Sequence, residues 1–151
     1  MREILFKAKR IDNGEWVEGY LVETRHNTYH DGYRIIDKDG INYDELDYYE
    51  PSFISYVIDQ STICQCTGLK DKNGKLIWEN DVVAYWDSYS TENGQSEADC
   101  VGKVVWDDET ISFQVTNRLS AESYGVLDEC SVIGNIFDEG SENIGKRAEE
   151  N

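Results

Sequence analysis

The sequence predicts an all-β or β-dominated fold, in which several hairpins form barrel-like lobes and little of the chain is helical. Short runs rich in β-branched and aromatic residues recur along the 151 residues. Turn-forming residues separate these runs at intervals of roughly 8–12 positions, which is typical of sandwiches and barrels. Asn-Gly pairs, which favour hairpin turns because glycine tolerates positive φ, stand between predicted strands at positions 13–14 and 73–74. No segment shows a convincing helical period.

In the first part of the chain, apolar residues predict a strand from Arg2 to Ile11 and another from Glu15 to Glu23, joined at Asn13-Gly14. The polar run Asp37-Lys38-Asp39-Gly40 lies between two short apolar segments and predicts a further hairpin turn. Two more strands are predicted at residues 53–58 and 63–66.

The stretch from Thr67 to Val83 carries the strongest hairpin signal, because Asn73-Gly74 lies between two short arms. We expect a type I′ turn there, in which both central residues have positive φ. A strand is predicted over Val82–Trp86, followed by a mobile polar loop over residues 87–98. The remaining predicted strands are 100–106, 110–115 and 130–137.

These elements predict one domain over residues 1–138, with a soft boundary near residues 59–62 between an N-terminal lobe and a C-terminal barrel. Residues 139–151 are predicted to form a flexible acidic tail, because Gly, Ser, Glu and Lys predominate there without an apolar period. A chain of this length buries a sufficient core without disulfides or metals.

The charge balance limits the classes of partner. Thirty-one acidic residues stand against fourteen basic ones, which gives a net charge of −17. Residues 1–30 hold five of each sign, whereas 31–60 and 121–151 each hold eight acids and two bases. Such a field repels the phosphates of nucleic acids and of anionic membranes, so neither is expected as a partner. The acidic excess serves either solubility alone or a functional surface.

The N-terminal residues lack the apolar core of a signal peptide, and no run of about 18 apolar residues occurs. The sequence therefore predicts no membrane span and a cytoplasmic location, in which the four cysteines stay reduced. Cys64 and Cys66 would point to one face of a strand, whereas Cys100 and Cys130 are isolated in the sequence. Because structural zinc usually needs two close pairs of ligands, no metal site is predicted.

Three blocks of sequence, in a fixed order, cover most of the chain. They are Arg2-Glu3-Ile4 through Lys9-Arg10 with Asp12 to Leu21, then Thr67 to Lys75 with Ile77-Trp78-Glu79 and Asp81-Val82-Val83, and finally Val132-Ile133-Gly134-Asn135-Ile136-Phe137. In residues and spacing, these blocks resemble the YopX family of phage and prophage proteins. The resemblance implies a β-rich fold and a mobile-element protein that acts in the bacterial cytoplasm, but it implies no activity and no site residues.

Two positions depart from the pattern of the family that the chain resembles. Asn80 stands where the family usually has glycine, and asparagine is the residue that best tolerates the left-handed backbone region after glycine. Cys64-Gln65-Cys66 replaces a Gly-Gln-aromatic run, which changes the side chains available for packing at this place.

The acidic run from Asp37 to Glu45 invites comparison with a calcium-binding loop. If Gly40 held the sixth position of an EF-hand loop, Ile35 would hold the first and Leu46 the twelfth, and neither side chain offers an oxygen ligand. An acidic hairpin turn is therefore the preferred interpretation.

Histidine and aromatic residues give no clear catalytic or nucleic-acid signal. His26 and His30 lie in a polar, turn-rich segment, which does not favour the positioned base of a Ser–His or Cys–His pair. Aromatic residues could stack on bases, but the charges among them are mostly acidic, and alternating aromatics more often pack across strands. The four tryptophans are Trp16, Trp78, Trp86 and Trp106.

The sequence thus nominates no catalytic, cofactor-binding or metal-ligating residue and no cofactor. The preferred hypothesis is a non-enzymatic protein-binding module with an acidic surface, which binds a host or phage protein and could form a homo-oligomer. Three alternatives stay open: a nucleic-acid-binding β-barrel, an acidic DNA mimic and a small-molecule enzyme without a recognisable motif. A deep apolar pocket with convergent polar groups would favour the enzyme, and acids along one face would favour the mimic.

Overall fold

Antiparallel strands make up almost all of the regular structure, and the predicted β-dominated fold with little helix is confirmed. The computed structural model describes residues 1–25, 32–42, 52–116, 124–125 and 129–140. The chain divides into two compact units, Met1–Cys66 and Thr67–Asn151. Closure of the sheets into barrels stays a prediction.

The first unit consists of a sheet and one short helical turn. Its elements are β1 (Phe6–Lys9), β2 (Trp16–Thr24), β3 (Gly32–Asn42), β4 (Ser52–Val57), a 3₁₀ turn (Gln60–Thr62) and the first residues of β5 (Cys64–Lys70). The strand order is β4-β3-β2-β1-β5. Phe6 of β1 therefore lies opposite Gly19 of β2 on one side and opposite Gln65 of β5 on the other.

The core of the first unit forms where side chains from these strands meet. Its buried members include Ala8, Ile35 and Ile58, and partly buried apolar residues pack against them: Phe6, Val17, Leu21, Tyr33 and Ile63. Gly19 allows β2 and β3 to approach closely, because a Cβ at this position would lie 1.9 Å from the carbonyl oxygen of Ile36.

The hairpin turn predicted at Asp37-Lys38-Asp39-Gly40 is wrong, because β3 runs through these residues as one strand. The register against β4 shifts within this run, which marks a bulge. The bulge is supported locally by the Asp37 carboxylate, which accepts the amide of Asp39 at 2.8 Å. Gly40 does not have the positive φ of a tight turn; a Cβ there would lie 2.9 Å from Cβ of Ile54. Glycine therefore serves close strand packing at this position and not chain reversal.

The Asn-Gly pairs reverse the chain as predicted, but they do not form type I′ turns. Gly14 and Gly74 have φ of +71° and +80°, whereas neither Asn13 nor Asn73 has positive φ. At the second pair, the amide of Gly74 donates to the carbonyl of Asp71 at 2.9 Å. This pattern fits a type I turn closed by a left-handed glycine, which needs one positive φ instead of two.

The second unit continues from β5 into β6 and a five-stranded sheet. Its further strands are β6 (Leu76–Trp78), β7 (Asp81–Thr91), β8 (Gly94–Asp107), β9 (Ser112–Thr116), β10 (Tyr124–Gly125) and β11 (Ser131–Asn135). The strand order of the sheet is β10-β9-β8-β7-β11. The buried core comprises Ile77, Val83, Tyr85, Val104, Val115 and Cys130.

The mobile loop predicted over residues 87–98 is wrong, because β7 and β8 stay paired from Val82 opposite Lys103 to Thr91 opposite Gly94. Only Glu92 and Asn93 connect the two strands. Small polar residues dominate this part of the sequence, and a ribbon whose side chains largely face water needs no apolar alternation to form. The sequence therefore lacks the period that usually identifies a strand.

The division after Cys66 lies a few residues beyond the soft boundary predicted near residues 59–62, and the domain assignment itself stays a prediction. Residues 141–151 of the predicted tail lie outside the described residues. Within the described ranges, the structure contains no helix with the length and hydropathy of a membrane span.

Replacing Gly19 by alanine is expected to lower the free energy of unfolding by about 3 kcal/mol or more, because the added methyl group collides with backbone atoms that cannot rotate away. Urea unfolding followed by tryptophan fluorescence measures this loss. The matched control is Gly14→Asn: a Cβ there has no atom within 4 Å, and asparagine tolerates the left-handed region, so the loss should stay below about 1 kcal/mol. Equal losses in the two variants would show that the contact with Ile36 is not the constraint.

Candidate functional site

The carboxylate of Asp81 is the centre of a buried polar network in the second unit. Asp81 is only 1% exposed. It accepts the backbone amide of Trp78 at 2.8 Å and the side-chain amide of Asn135 at 2.9 Å. The side-chain oxygen of Asn135 in turn accepts the amide of Phe137 at 3.1 Å. These bonds matter because a buried polar group left unsatisfied costs about 1–3 kcal/mol.

Asn80 supports the same network through its backbone. Its φ is +65°, so the expectation that asparagine adopts the geometry of the usual glycine is confirmed. In this conformation its amide donates to the carbonyl of Val104 at 2.8 Å, and its carbonyl accepts the amide of Ile136 at 3.1 Å. The left-handed residue thus connects the segment before β7 to β8 and to the segment after β11.

Asp71 plays a similar part at the turn between β5 and β6. Its carboxylate accepts the amides of Val132, Asn73 and Lys75 at 2.8 to 2.9 Å. The hydrogen bond from Val132 contributes most to holding the pKa of the Asp71 carboxyl below its ordinary value, with the other two amides acting in the same direction and desolvation opposing them. The turn is therefore attached to β11 by an ionised side chain.

Together, Asp71 and Asp81 join the sequence block Thr67–Val83 to the block Val132–Phe137. Both carboxylates are occupied by amide donors of the fold itself. A general acid or base needs a lone pair or proton that faces a substrate. We therefore assign these sequence blocks a structural role.

Some of the residues considered as ligands in the sequence analysis lie outside the part of the chain that the structure describes. His26, His30, Asp44 and Glu45 lie outside the described residues. All four cysteines are free thiols, with Cys64, Cys66 and Cys130 buried and Cys100 partly exposed. In the part of the chain that the structure describes, no three His, Cys, Asp or Glu side chains come close enough to hold a metal ion.

The tryptophans differ in environment. Trp78 is buried and Trp106 is partly exposed. The ring of Trp16 lies 4.8 Å from Nζ of Lys7, so a basic side chain lies against this aromatic residue. Trp86 is 58% exposed, which makes it the most exposed of the four; it lies on β7.

Beyond the central part of the five-stranded sheet, β7 and β8 form a two-stranded ribbon that we call the acidic arm (residues 85–100). β11 pairs with β7 only over residues 81–84, and β9 pairs with β8 only over residues 103–107. Among the described residues, the strands of the arm therefore pair only with each other. An edge strand of this kind is able to pair with another chain.

The acidic arm carries charge of one sign. It contains Asp87, Glu92, Glu97 and Asp99 and no lysine or arginine. Asp99 lies directly opposite Trp86 in the ladder, and Glu97 shares their face because side chains alternate along a strand. The arm thus presents an exposed aromatic ring beside carboxylates.

A groove of about 550 Å³ lies at the base of the arm. Its lining includes Trp86, Asp99, Glu129, Ser131 and Lys72. Sequence reasoning missed this combination, because Glu129 and Asp99 approach Trp86 only through the pairing of β7 with its neighbours. An aromatic ring flanked by carboxylates suits a cationic side chain.

Cys100 lies at the base of the arm, where the negative charges of the arm affect the pKa of its thiol. Burial raises the pKa of the Cys100 thiol, and the negative charges of Asp87 and Asp99 raise it further. The thiol is 3.7 Å from the carbonyl oxygen of Ala98. The neutral thiol is therefore favoured over the reactive thiolate at this position.

Comparison with known proteins decides the family. The model of the YopX family, described as YopX protein, matches residues 5–141. This chain belongs to the YopX family. The match includes all of the second and third blocks and most of the first, so the resemblance seen in the sequence is confirmed.

The fold of this YopX-family protein also occurs in a solved structure. The crystal structure of protein EF1440 from Enterococcus faecalis is similar to it, with a TM-score of 0.58 and 21% sequence identity over 94% of this chain and 99% of that one. At this identity the likeness concerns the fold alone. No curated protein matches the chain.

The stabilising effect of Asp71 in this YopX-family protein should depend on pH. Because the folded-state pKa lies below the ordinary value of 3.8, the carboxylate stabilises the fold fully above that value and loses its effect as the pH falls toward the folded-state pKa. The difference in unfolding free energy between wild type and Asp71→Asn should be largest near neutral pH and shrink in strong acid. Denaturant titrations over a pH series measure it. Asp39→Asn, at an exposed side chain, serves as the control and should change stability little at any pH.

Removing the charge of Asp99 should make Cys100 more reactive. The Asp99→Asn variant should react faster with iodoacetamide at neutral pH, because the loss of a nearby negative charge favours the thiolate. Mass spectrometry of the peptide that contains Cys100 gives the rate without interference from the three buried cysteines. Glu109→Gln removes an equal charge outside the arm and should leave the rate unchanged. A rate for Asp99→Asn that matched this control would contradict an effect of the arm's charge on the thiol.

Proposed function

We propose that this YopX-family protein is a non-enzymatic protein-binding module that uses an acidic surface. Its partner is a host or phage protein with an exposed basic segment, and the two meet in the cytoplasm of a bacterium that carries the phage or prophage. The acidic arm is the binding element. Membership of the YopX family supports this setting, since the resemblance to that family implies a mobile-element protein.

The observation that carries the proposal is the placement of Trp86 next to Asp99 and Glu129 at the base of the arm. Tryptophan is enriched at protein interfaces relative to the rest of the surface. A lysine or arginine of the partner would stack on the ring and pair with the carboxylates, an arrangement worth about 0.5–2 kcal/mol from the cation–π contact alone. The remaining acids of the arm would steer the basic partner toward this groove.

The alternatives fit the arm less well. A nucleic-acid surface needs lysines and arginines around its aromatic residues, whereas all charged residues of the arm are acidic. A DNA mimic would use the same acidic face, but an exposed tryptophan has no counterpart in a row of phosphates. An enzyme would need a positioned acid, base or nucleophile, and the two most buried carboxylates described are occupied by amide donors. A homo-oligomer stays a proposal that light scattering tests.

Neutralising the arm should weaken capture of the partner. The test immobilises wild type, Glu97→Gln/Asp99→Asn and Trp86→Ala and exposes each to lysate of lysogenic host cells over a salt series. The charge variant should retain roughly tenfold less partner at low ionic strength, and the difference should fade as salt screens the charges. Trp86→Ala should reduce capture at every salt concentration, because salt screens a close ring contact much less than it screens separated surface charges.

The control for this experiment is Asp39→Asn/Glu109→Gln, which removes two negative charges outside the arm. It should capture the same protein as wild type within about twofold. The captured protein, identified by mass spectrometry, should carry a basic segment whose removal abolishes binding. Equal loss in the control and the arm variant, or no specific capture at low salt, would refute the proposal.

A further inference from the structure

A second groove, in the first unit, has the opposite electrostatic character. It measures about 790 Å³, which is within the range of small-molecule sites. Its lining includes Lys9, Arg10, Tyr33, Arg34, Asp59 and Gln60, and we call it the arginine groove. A neighbouring depression of about 470 Å³ is also lined by Arg10 and Arg34.

The concentration of basic side chains in the arginine groove is unexpected from the composition. The chain has 31 acidic and 14 basic residues, yet the lining of this groove includes three basic residues, Lys9, Arg10 and Arg34, and one acid, Asp59; Arg10 is also paired with Asp12. In a chain of net charge −17, a local positive field of this kind attracts anions that the rest of the surface repels.

Arg10 is fixed in place by two contacts. Its Nε donates to the Asp12 carboxylate at 2.9 Å, and its guanidinium carbon lies 4.5 Å from the centre of the Tyr56 ring. Asp12 neutralises part of its charge. Arg10 therefore serves mainly as a fixed wall of the groove, because its charge is already paired with Asp12.

Arg34 differs, because its described partner is neutral. Its Nε donates to the hydroxyl of Ser55 at 3.1 Å, which orients the guanidinium group. Among the described residues, no carboxylate pairs with Arg34, and its two terminal nitrogens make no hydrogen bond. A half-buried arginine that is held by its Nε leaves a planar pair of donors that matches the two oxygens of a carboxylate or phosphate.

Apolar side chains complete the arginine groove. Ile11, Val57 and Ile58 line it together with Tyr33, and they offer a surface to a hydrocarbon or aromatic body. A cavity with mostly apolar walls and a few convergent polar groups is the usual form of a small-ligand site.

We propose that the arginine groove binds a small organic oxyanion, a carboxylate or phosphate monoester with an apolar body, through the terminal nitrogens of Arg34 with Arg10 alongside. This site lies in the first unit and does not depend on the acidic arm. The anionic group pairs with the Arg34 guanidinium, and the apolar body lies against Ile11, Val57 and Tyr33.

The test is calorimetric titration of the full chain with benzoate, phenyl phosphate and the neutral probe benzyl alcohol. At least one of the two anions should bind saturably, and benzyl alcohol should bind at least tenfold more weakly. A preference for benzoate or phenyl phosphate identifies which oxyanion the groove accepts. Arg34→Gln should lower the affinity for the preferred anion roughly tenfold or more, which is the effect of losing a charged hydrogen-bonded pair.

Two further variants make the result specific. Arg34→Lys keeps the charge but loses the paired donors, so its affinity should fall between those of wild type and Arg34→Gln. Arg2→Gln removes an exposed arginine that does not line the groove, and its affinity should stay within about twofold of wild type. Urea unfolding of each variant establishes that the fold is retained.

Four outcomes would overturn the proposal: no saturable binding of either anion at millimolar concentration, equal binding of the neutral probe, equal losses in Arg34→Gln and Arg2→Gln, or wild-type affinity in Arg34→Lys. The first two reject an oxyanion site, the third reduces the effect to overall charge, and the fourth rejects the paired contact. None of them bears on the acidic arm, since a different surface in a different unit carries that proposal.

Discussion

Amide donors directed at two buried carboxylates hold the second unit together. Asp81 receives the amide of Trp78 and the side chain of Asn135, and Asp71 receives three backbone amides, including that of Val132. These bonds attach β11 to the turn after β5 and to the start of β7. The base from which the long hairpin extends is therefore determined by polar contacts as well as by its apolar core, and each contact is costly to break because its partner would remain buried.

Acidic residues a short distance apart in the chain have different environments. Asp71 and Asp81 are buried and their oxygens are occupied, whereas Asp99 and Glu97 are exposed and available to a partner. The two groups differ in the burial of their carboxylates and in the number of hydrogen-bond donors around them. The residue type alone does not distinguish a structural carboxylate from an exposed one.

The two grooves differ in the charged side chains that line them, although Lys72 also lines the groove beside Trp86. The groove beside Trp86 is lined by Asp99 and Glu129, and the arginine groove by Lys9, Arg10 and Arg34. A net charge of −17 describes the whole chain, and it does not indicate that basic residues line the arginine groove. Overall charge supports statements about steering and solubility, whereas the ligand of a particular groove follows from the side chains that line it.

The sequence by itself determined the features that depend on neighbouring residues: the β-dominated class, the chain reversals at Asn13-Gly14 and Asn73-Gly74, and the left-handed backbone of Asn80. These follow from side-chain alternation and from the φ values that each residue tolerates. Tertiary structure decided that β3 passes through Asp37–Gly40 without turning, that residues 87–98 form paired strands, and which charged side chains surround Trp86 and Arg34. The reason is strand register, which brings together residues that are far apart in the chain. A local sequence pattern does not predict which residues of two strands lie opposite each other.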